Sequence, residues 1–406
     1  MKNEKTIFKA GFETFDLVPV ERDNRIDSLR GLFLVLMSTG HFGGWITEYT
    51  WQFYGYATNA EGFVFVSGFV FALVYGKYIT NFKLLTKKIC KRCFTVYRYH
   101  LILVIILPFI ALLIPAYKAF WCNMLSYFFI HGTPLKHIIS SAILLNQPTY
   151  MDILPMYAIF ILFSLPLLLL MSKGYDYYAL AICIGIWFIG QYFNPVAFFS
   201  NVYFPKAFPG ILNIFSWQLL FYIGAFLGFR KRLGKKLNIL DNKIIMIVIF
   251  AVYIITLLSR YNVVDLGINI NAATKRIDLA WLRLVSFLSA AFVFANLIRP
   301  IPLKYGFPWL NLLGKHSLQV FSFHILMLYF FIEPLKTGLG ISSKYGDTVY
   351  VIILVLFLAS LTIPALWHKT YVKIMKNIKM HFNPPIPVDD QHGDKCTVKN
   401  SWCCKS

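Results

Sequence analysis

Residues 25–44 read RIDSLRGLFLVLMSTGHFGG: a charged approach, an apolar run, then a histidine set among glycines. The run from Leu32 onward has the character of a membrane helix, yet Arg30 and His41 sit inside or at the edge of it. Eleven helical steps of about 100° end ~20° past three full turns, so Arg30 and His41 share one face with a rise of ~16 Å between them. Asp27 lies three residues before Arg30 and is expected to pair with it on that face. The stretch therefore reads as a spanning helix with a polar stripe from one mouth to about mid-membrane. The rest of the chain extends that reading to an all-α, polytopic integral membrane helical bundle.

The whole composition agrees. Of 406 residues 58% are hydrophobic and only 14% charged, against roughly 45–50% apolar and about 25% charged in soluble proteins. Lys and Arg outnumber Asp and Glu by 39 to 18. In a soluble domain that surplus would suggest nucleic acid. Here the cations cluster in short connections, so membrane lipids are the expected partners and nucleic acid is not.

A span needs about 20 residues, and about ten runs qualify: 29–47, 60–79, 94–117, 152–171, 177–193, 210–229, 243–260, 279–298, 311–333 and 348–368. The basic clusters Lys83, Lys87, Lys88, Lys91, Arg92 and Arg230, Lys231, Arg232, Lys235, Lys236 follow even-numbered runs, while 48–59 holds no Lys or Arg. The positive-inside rule then places both termini in the cytoplasm. The expected organisation is a cytoplasmic segment (1–28), a membrane domain (29–370) and a polar cytoplasmic tail (371–406) carrying Pro384, Pro385 and Pro387. The connection 118–151 is expected along the membrane surface as a candidate lid. A lone Cys90-x-x-Cys93 lacks zinc spacing, and no metal or resident cofactor is expected.

A charge inside an apolar run costs several kcal/mol, so the polar residues found there mark functional candidates. Beside Asp27, Arg30 and His41 these are Glu61 and Ser67 in the second run, Asp152 at the start of the fourth, Arg283 in the eighth, and Ser317 and His324 in the ninth. A neutral His41 near mid-membrane suits a general base, with Gly40, Gly43 and Gly44 allowing close approach of a ligand. Glu61 is placed either to hold His41 or the acceptor hydroxyl, or to close a capping box with Thr58; Gly62, Ser67 and Gly68 would keep the second helix close to the first. Ser317 and His324 share a face within ~20°. Arg283 has the planar fork suited to the free carboxylate of a dicarboxylic acyl group. Asp152 is expected to cap its helix. Plainer roles exist for each: Arg30 as a snorkelling anchor, His41 as a packing residue, Ser317 and His324 as interhelical hydrogen bonders.

The Asp27-x-x-Arg30-Gly31 opening, the Arg30-x10-His41 spacing and the run from Glu61 to Ser67-Gly68-Phe69 resemble the first two spans of the membrane acyltransferase 3 superfamily. Gln147-Pro148 with Met151-Asp152-Ile153-Leu154-Pro155, Trp217-Gln218 with Phe221 and Gly224, Trp281-Leu282-Arg283-Leu284 with Phe287, and Gly314-Lys315-His316-Ser317 ending at His324 resemble more narrowly its OpgC branch. The resemblance covers about residues 25 to 325. It implies ten spans in a bacterial inner membrane, acyl-CoA (succinyl-CoA in the type activity) as cytoplasmic co-substrate, and transfer to hydroxyls of a periplasmic glucan. By the same resemblance His41 would be the base and Arg30 a residue for the donor phosphates; a homodimer stays open. A secondary transporter or flippase for a polar solute is the competing expectation, against which stands the lack of two related halves with broken helices. A bis-His haem carrier could draw on His41 and His324.

Overall fold

The computed structural model describes residues 7–10, 13–235, 241–332 and 346–382. A two-stranded antiparallel ribbon, β1 (Ile7–Ala10) with β2 (Glu13–Asp16), precedes the helices, an element absent from the sequence-based expectation. The remaining regular structure among the described residues is helical: α1 (Asn24–Phe42), α2 (Ile46–Thr50), α3 (Asn59–Tyr75), α4 (Phe82–Leu113), α5 (Pro115–Leu125), α6 (Tyr127–Ile130), α7 (Pro134–Ala142), α8 (Ile153–Ser172), α9 (Asp176–Gly190), α10 (Pro195–Tyr203), α11 (Ile214–Arg232), α12 (Lys243–Arg260), α13 (Ile270–Ala273), α14 (Trp281–Ile298), α15 (Pro308–Lys315), α16 (Ser317–Met327), α17 (Gly346–Ser360) and α18 (Thr362–Phe382). Most of the expected polar tail, from residue 383, lies outside the described residues.

Local chemistry sets the ends. Asp23 caps α1 by accepting from the Arg25 N–H, and Gly43, at φ 80°, closes it. Thr58 and Glu61 form a capping box at the start of α3, satisfying orphan donors of the first turn. Asp152 takes the N-cap position of α8 without a side-chain capping bond.

All ten expected runs fall on helix, but six helices are long and apolar enough to cross a membrane, or seven if α9 and α10, bent by 50° at their break, form one span. The shortfall has local causes. α1 carries Arg25, Asp27 and Arg30, α11 ends in Arg230, Lys231 and Arg232, and the ninth run is interrupted at His316, between α15 and α16. The spanning character shows in the inverted pattern of α12: Ile244, Ile247 and Phe250 are exposed, while the buried residues are Thr256 and Ser259. An outward apolar face is what a helix against lipid tails requires.

Two backbone-to-backbone seams hold the centre. A Cβ on Gly31 would lie 2.0 Å from the Leu310 carbonyl oxygen, and one on Gly314 would lie 1.8 Å from that of Asp27, so α1 and α15 touch where neither has a side chain. Gly68 meets the Phe221 carbonyl in the same way, and Gly224 and Gly228, a GxxxG pair on α11, meet those of Phe65 and Phe69. Small residues permit this approach, and dispersion and hydrogen bonding rather than water exclusion reward it inside a bilayer. Gly62 does face α1, at Phe33, but Gly68 packs on α11 instead of the first helix.

The expected lid is a packed cap. Trp121 of α5 is buried and donates to the Tyr329 carbonyl at 2.7 Å, and the Tyr329 hydroxyl reaches back to the Met124 and Thr149 carbonyls. The glycines around His41 are also structural: Gly40 lies against Trp51 and Gly44, at φ +82°, against the Tyr350 ring.

Candidate active site

Arg30 turns off the α1 face into a cavity between α1, α3, α4, α8 and α16. Its Nη2 donates to Ser317 Oγ at 2.6 Å across 287 residues of sequence. Ser67, Arg92, Tyr157 and Phe321 share the lining, with about 310 Å³ of empty space including the open mouth. Two guanidinium groups line it and no carboxylate does. Arg30 Nε and Ser67 Oγ are buried there without a hydrogen-bond partner, donors held ready at a cost that a bound acceptor would offset. Asp27 does not pair with Arg30 as expected. It takes Arg22 at 2.6 Å, which reaches it from just outside the helix while Arg30 is drawn inward to Ser317.

At the other end of the stripe His41 meets His324. Nδ1 of His41 lies 3.1 Å from Nε2 of His324, the two rings are near parallel with centroids 5.3 Å apart, and Tyr150 covers His41 at 4.6 Å. His324 Nδ1 sits 2.6 Å from the Phe321 carbonyl oxygen. A carbonyl only accepts, so His324 carries its proton on Nδ1 and, when neutral, offers a lone pair at Nε2. His41 must then donate from Nδ1, which leaves its own lone pair on Nε2. The expectation that Ser317 and His324 share a face with the stripe therefore has a geometric counterpart: α1 and α16 run alongside, with Arg30 against Ser317 and His41 against His324.

Glu61 pairs with Arg283 and Thr58 rather than with His41. Its Oε1 accepts from Arg283 Nη1 at 2.7 Å and its other oxygen serves Thr58, in a pair almost completely buried. Arg283 Nε donates to the Thr274 carbonyl at 2.8 Å. The carboxylate that Arg283 grips in this structure is thus the protein's own, where the expectation was the free carboxylate of an acyl group: a charge buried this deeply needs a counter-charge. Asp152 is half-buried, with its Oδ2 atom enclosed and unpartnered.

Sequence reasoning gave no site role to Arg92, Tyr150, Tyr157 or Arg276, and quoted Gln147 only within a family-like motif. Arg92 was absorbed into a basic cluster read only for topology; its position ten residues into α4, below the loop, was the available signal. Arg276 lies in the connection before α14, where no periodicity distinguishes it. Among the described residues no group of three or more His, Cys, Asp or Glu could hold a metal ion. Against known proteins, a family model described as OpgC protein matches residues 22–373. No curated protein and no solved structure matches the chain.

Proposed function

The chain belongs to the OpgC family, and from that premise we propose that it moves an acyl group, succinyl by family type, from acyl-CoA to a hydroxyl of a periplasmic glucan, from a bacterial inner membrane with both termini cytoplasmic. Membership of that family indicates a membrane glucan-modifying acyltransferase; the donor, the acyl group and the base are our reading.

The observation that carries it is the tautomer assigned to His41. With its Nδ1–H committed to His324, the imidazole offers Nε2 as the basic atom. His41 Nε2 takes the proton of the acceptor hydroxyl as that oxygen bonds to the thioester carbonyl carbon. The imidazolium formed is stabilised through Nδ1–H by His324, whose own orientation is set by the Phe321 carbonyl. Collapse of the tetrahedral intermediate breaks the C–S bond, and the proton on Nε2 goes to the departing thiolate. Atoms balance as ester plus free coenzyme A.

Arg30 and Arg92 suit the phosphates of the donor, because guanidinium groups match phosphate oxygens. The ~16 Å rise from Arg30 to His41 is the distance a pantetheine arm would have to cover between the phosphates and the thioester. Ser67 and Ser317 then contact that arm. The test is incubation of purified, monodisperse protein with succinyl-CoA and a glucan, followed by mass spectrometry of the glucan. A mass increment names the acyl group, and its absence with every acyl-CoA offered overturns the assignment. His41→Ala, compared per mole of folded protein, then tests the base.

A further inference from the structure

On the side of His41 away from the Arg30 cavity, side chains from three separate connections meet. Gly40, next to His41, lies against the Trp51 indole. The Arg276 guanidinium sits 5.1 Å from the centre of that indole and within electrostatic reach of Asp152. Asp152 is two residues from Tyr150, whose ring lies 4.6 Å from that of His41. Gln147 adjoins Asp152, since a Cβ on Gly210 would touch both. These contacts close a ring, and it stands at the end of the bundle where α1 finishes and α3, α8 and α14 begin, opposite the Lys and Arg connections after α3 and α11.

The ring is polar, half-buried and incompletely satisfied. Gln147 is 5% exposed. Its Nε2 donates to the Leu144 carbonyl at 2.9 Å, which fixes the amide so that Oε1 is the atom without a partner. Asp152 Oδ2 and Arg276 Nε are likewise buried without partners. A native structure seldom leaves such atoms unpaired unless something else supplies the hydrogen bond. Two acceptors and a donor left unpaired within one cluster call for a ligand that donates and accepts. An anion would face the Asp152 carboxylate and a cation the Arg276 guanidinium, so the fitting ligand is neutral and rich in hydroxyls.

We infer that the ring of Trp51, Gln147, Tyr150, Asp152 and Arg276 is the acceptor subsite and binds a neutral sugar residue with one hydroxyl directed at His41. What the sugar does there rests on the acyltransferase reading; that it binds there does not. Calorimetric binding of a neutral β-linked gluco-oligosaccharide to the full-length protein, with no acyl-CoA present, separates the two. The parent should bind, and Gln147→Leu and Asp152→Asn should each lose about tenfold in affinity, the loss expected when one buried hydrogen bond goes unmade. As a measurement that does not disturb the ring, Phe53→Cys, two residues from Trp51, should be alkylated more slowly when the sugar is present, read on its own peptide by mass spectrometry.

No sugar binding by the parent, parent-like affinity in both ring variants, unchanged alkylation, or tighter binding of a uronic-acid oligosaccharide than of the neutral one would each overturn the inference. Sugar binding that depends on the ring, with no acyl transfer to any glycan, would instead overturn the acyltransferase reading and leave the subsite standing. Acyl transfer to a glucan with unchanged acceptor KM in Gln147→Leu would do the reverse.

Discussion

The cavity around Arg30 and the ring beyond His41 use similar residue types on different scaffolds. Arg30, Ser67, Arg92 and Ser317 project from helices, and the backbones of α1, α15, α3 and α11 are locked by the glycine seams. Trp51, Gln147, Tyr150 and Arg276 lie on the connections, and two residues there, Gln52 at φ 57° and Tyr150 at φ 68°, adopt left-handed backbone without being glycine. Such a conformation costs on the order of 1 kcal/mol or more each. The cavity is therefore preformed by regular packing, whereas the ring is held in place against local preference. The contrast suits the proposed ligands: a coenzyme whose phosphates are always the same, and a sugar chain that must be oriented at one hydroxyl.

The sharpest way to break this division is at its boundary. His41→Ala should lower turnover by roughly 10²–10⁴-fold while leaving the affinities for acyl-CoA and for the gluco-oligosaccharide unchanged; loss of either affinity would make His41 a structural member of one region. Next in size is the support of the ring. Glu61→Ala leaves Arg283 buried and unpaired and should cost about 3–5 kcal/mol, seen as a large fall in unfolding temperature in detergent. Arg283→Lys, which keeps the charge but loses the fork, should cost less, and an unchanged unfolding temperature in both would remove the pair from the account of the outer end.

A third experiment isolates the cavity. Arg30→Ala should raise the acyl-CoA dissociation constant by about ten- to a hundredfold, the value of a charge-assisted hydrogen bond, with sugar affinity at the parental level. A parallel fall in sugar affinity would show that cavity and ring are one site.

The smallest expected effect concerns the cap over the ring. His137 of α7 is fully buried, bonded through Nδ1 to Ser126 at 2.8 Å and next to Asn146, the neighbour of Gln147. Burial pushes its imidazole down to about 4. A depressed histidine favours the folded state fully above its ordinary range near 6.5, and that contribution is lost as pH falls through about 4. The unfolding temperature should therefore drop over that window, and His137→Gln should flatten the slope. An identical slope in the variant would place the acid-sensitive group elsewhere.

Much of the cavity was legible because it obeys helix geometry. The 100° step aligned Arg30 with His41 and Ser317 with His324 from spacing alone, and the capping box at Thr58 and Glu61 was one of the two readings of that motif. Of the ring, Asp152 was singled out and Gln147 was quoted within a motif, but their meeting with Trp51 and Arg276 was not legible, since these residues sit in turns where no period links them. Glu61 and Arg283 were both singled out, yet each was assigned to an outside partner, because nothing local shows that a residue 222 positions away supplies the counter-charge.

By itself the sequence determined the membrane class, the helices and which side chains share a helical face, all properties of composition and of interactions within a few residues. The tertiary structure decided the partners: Ser317 rather than Asp27 for Arg30, His324 for His41, Arg283 for Glu61. It did so because those pairings depend on how closely helices approach, and that distance is set where glycines remove side chains from the seams, at positions whose matching surfaces lie far apart in the chain.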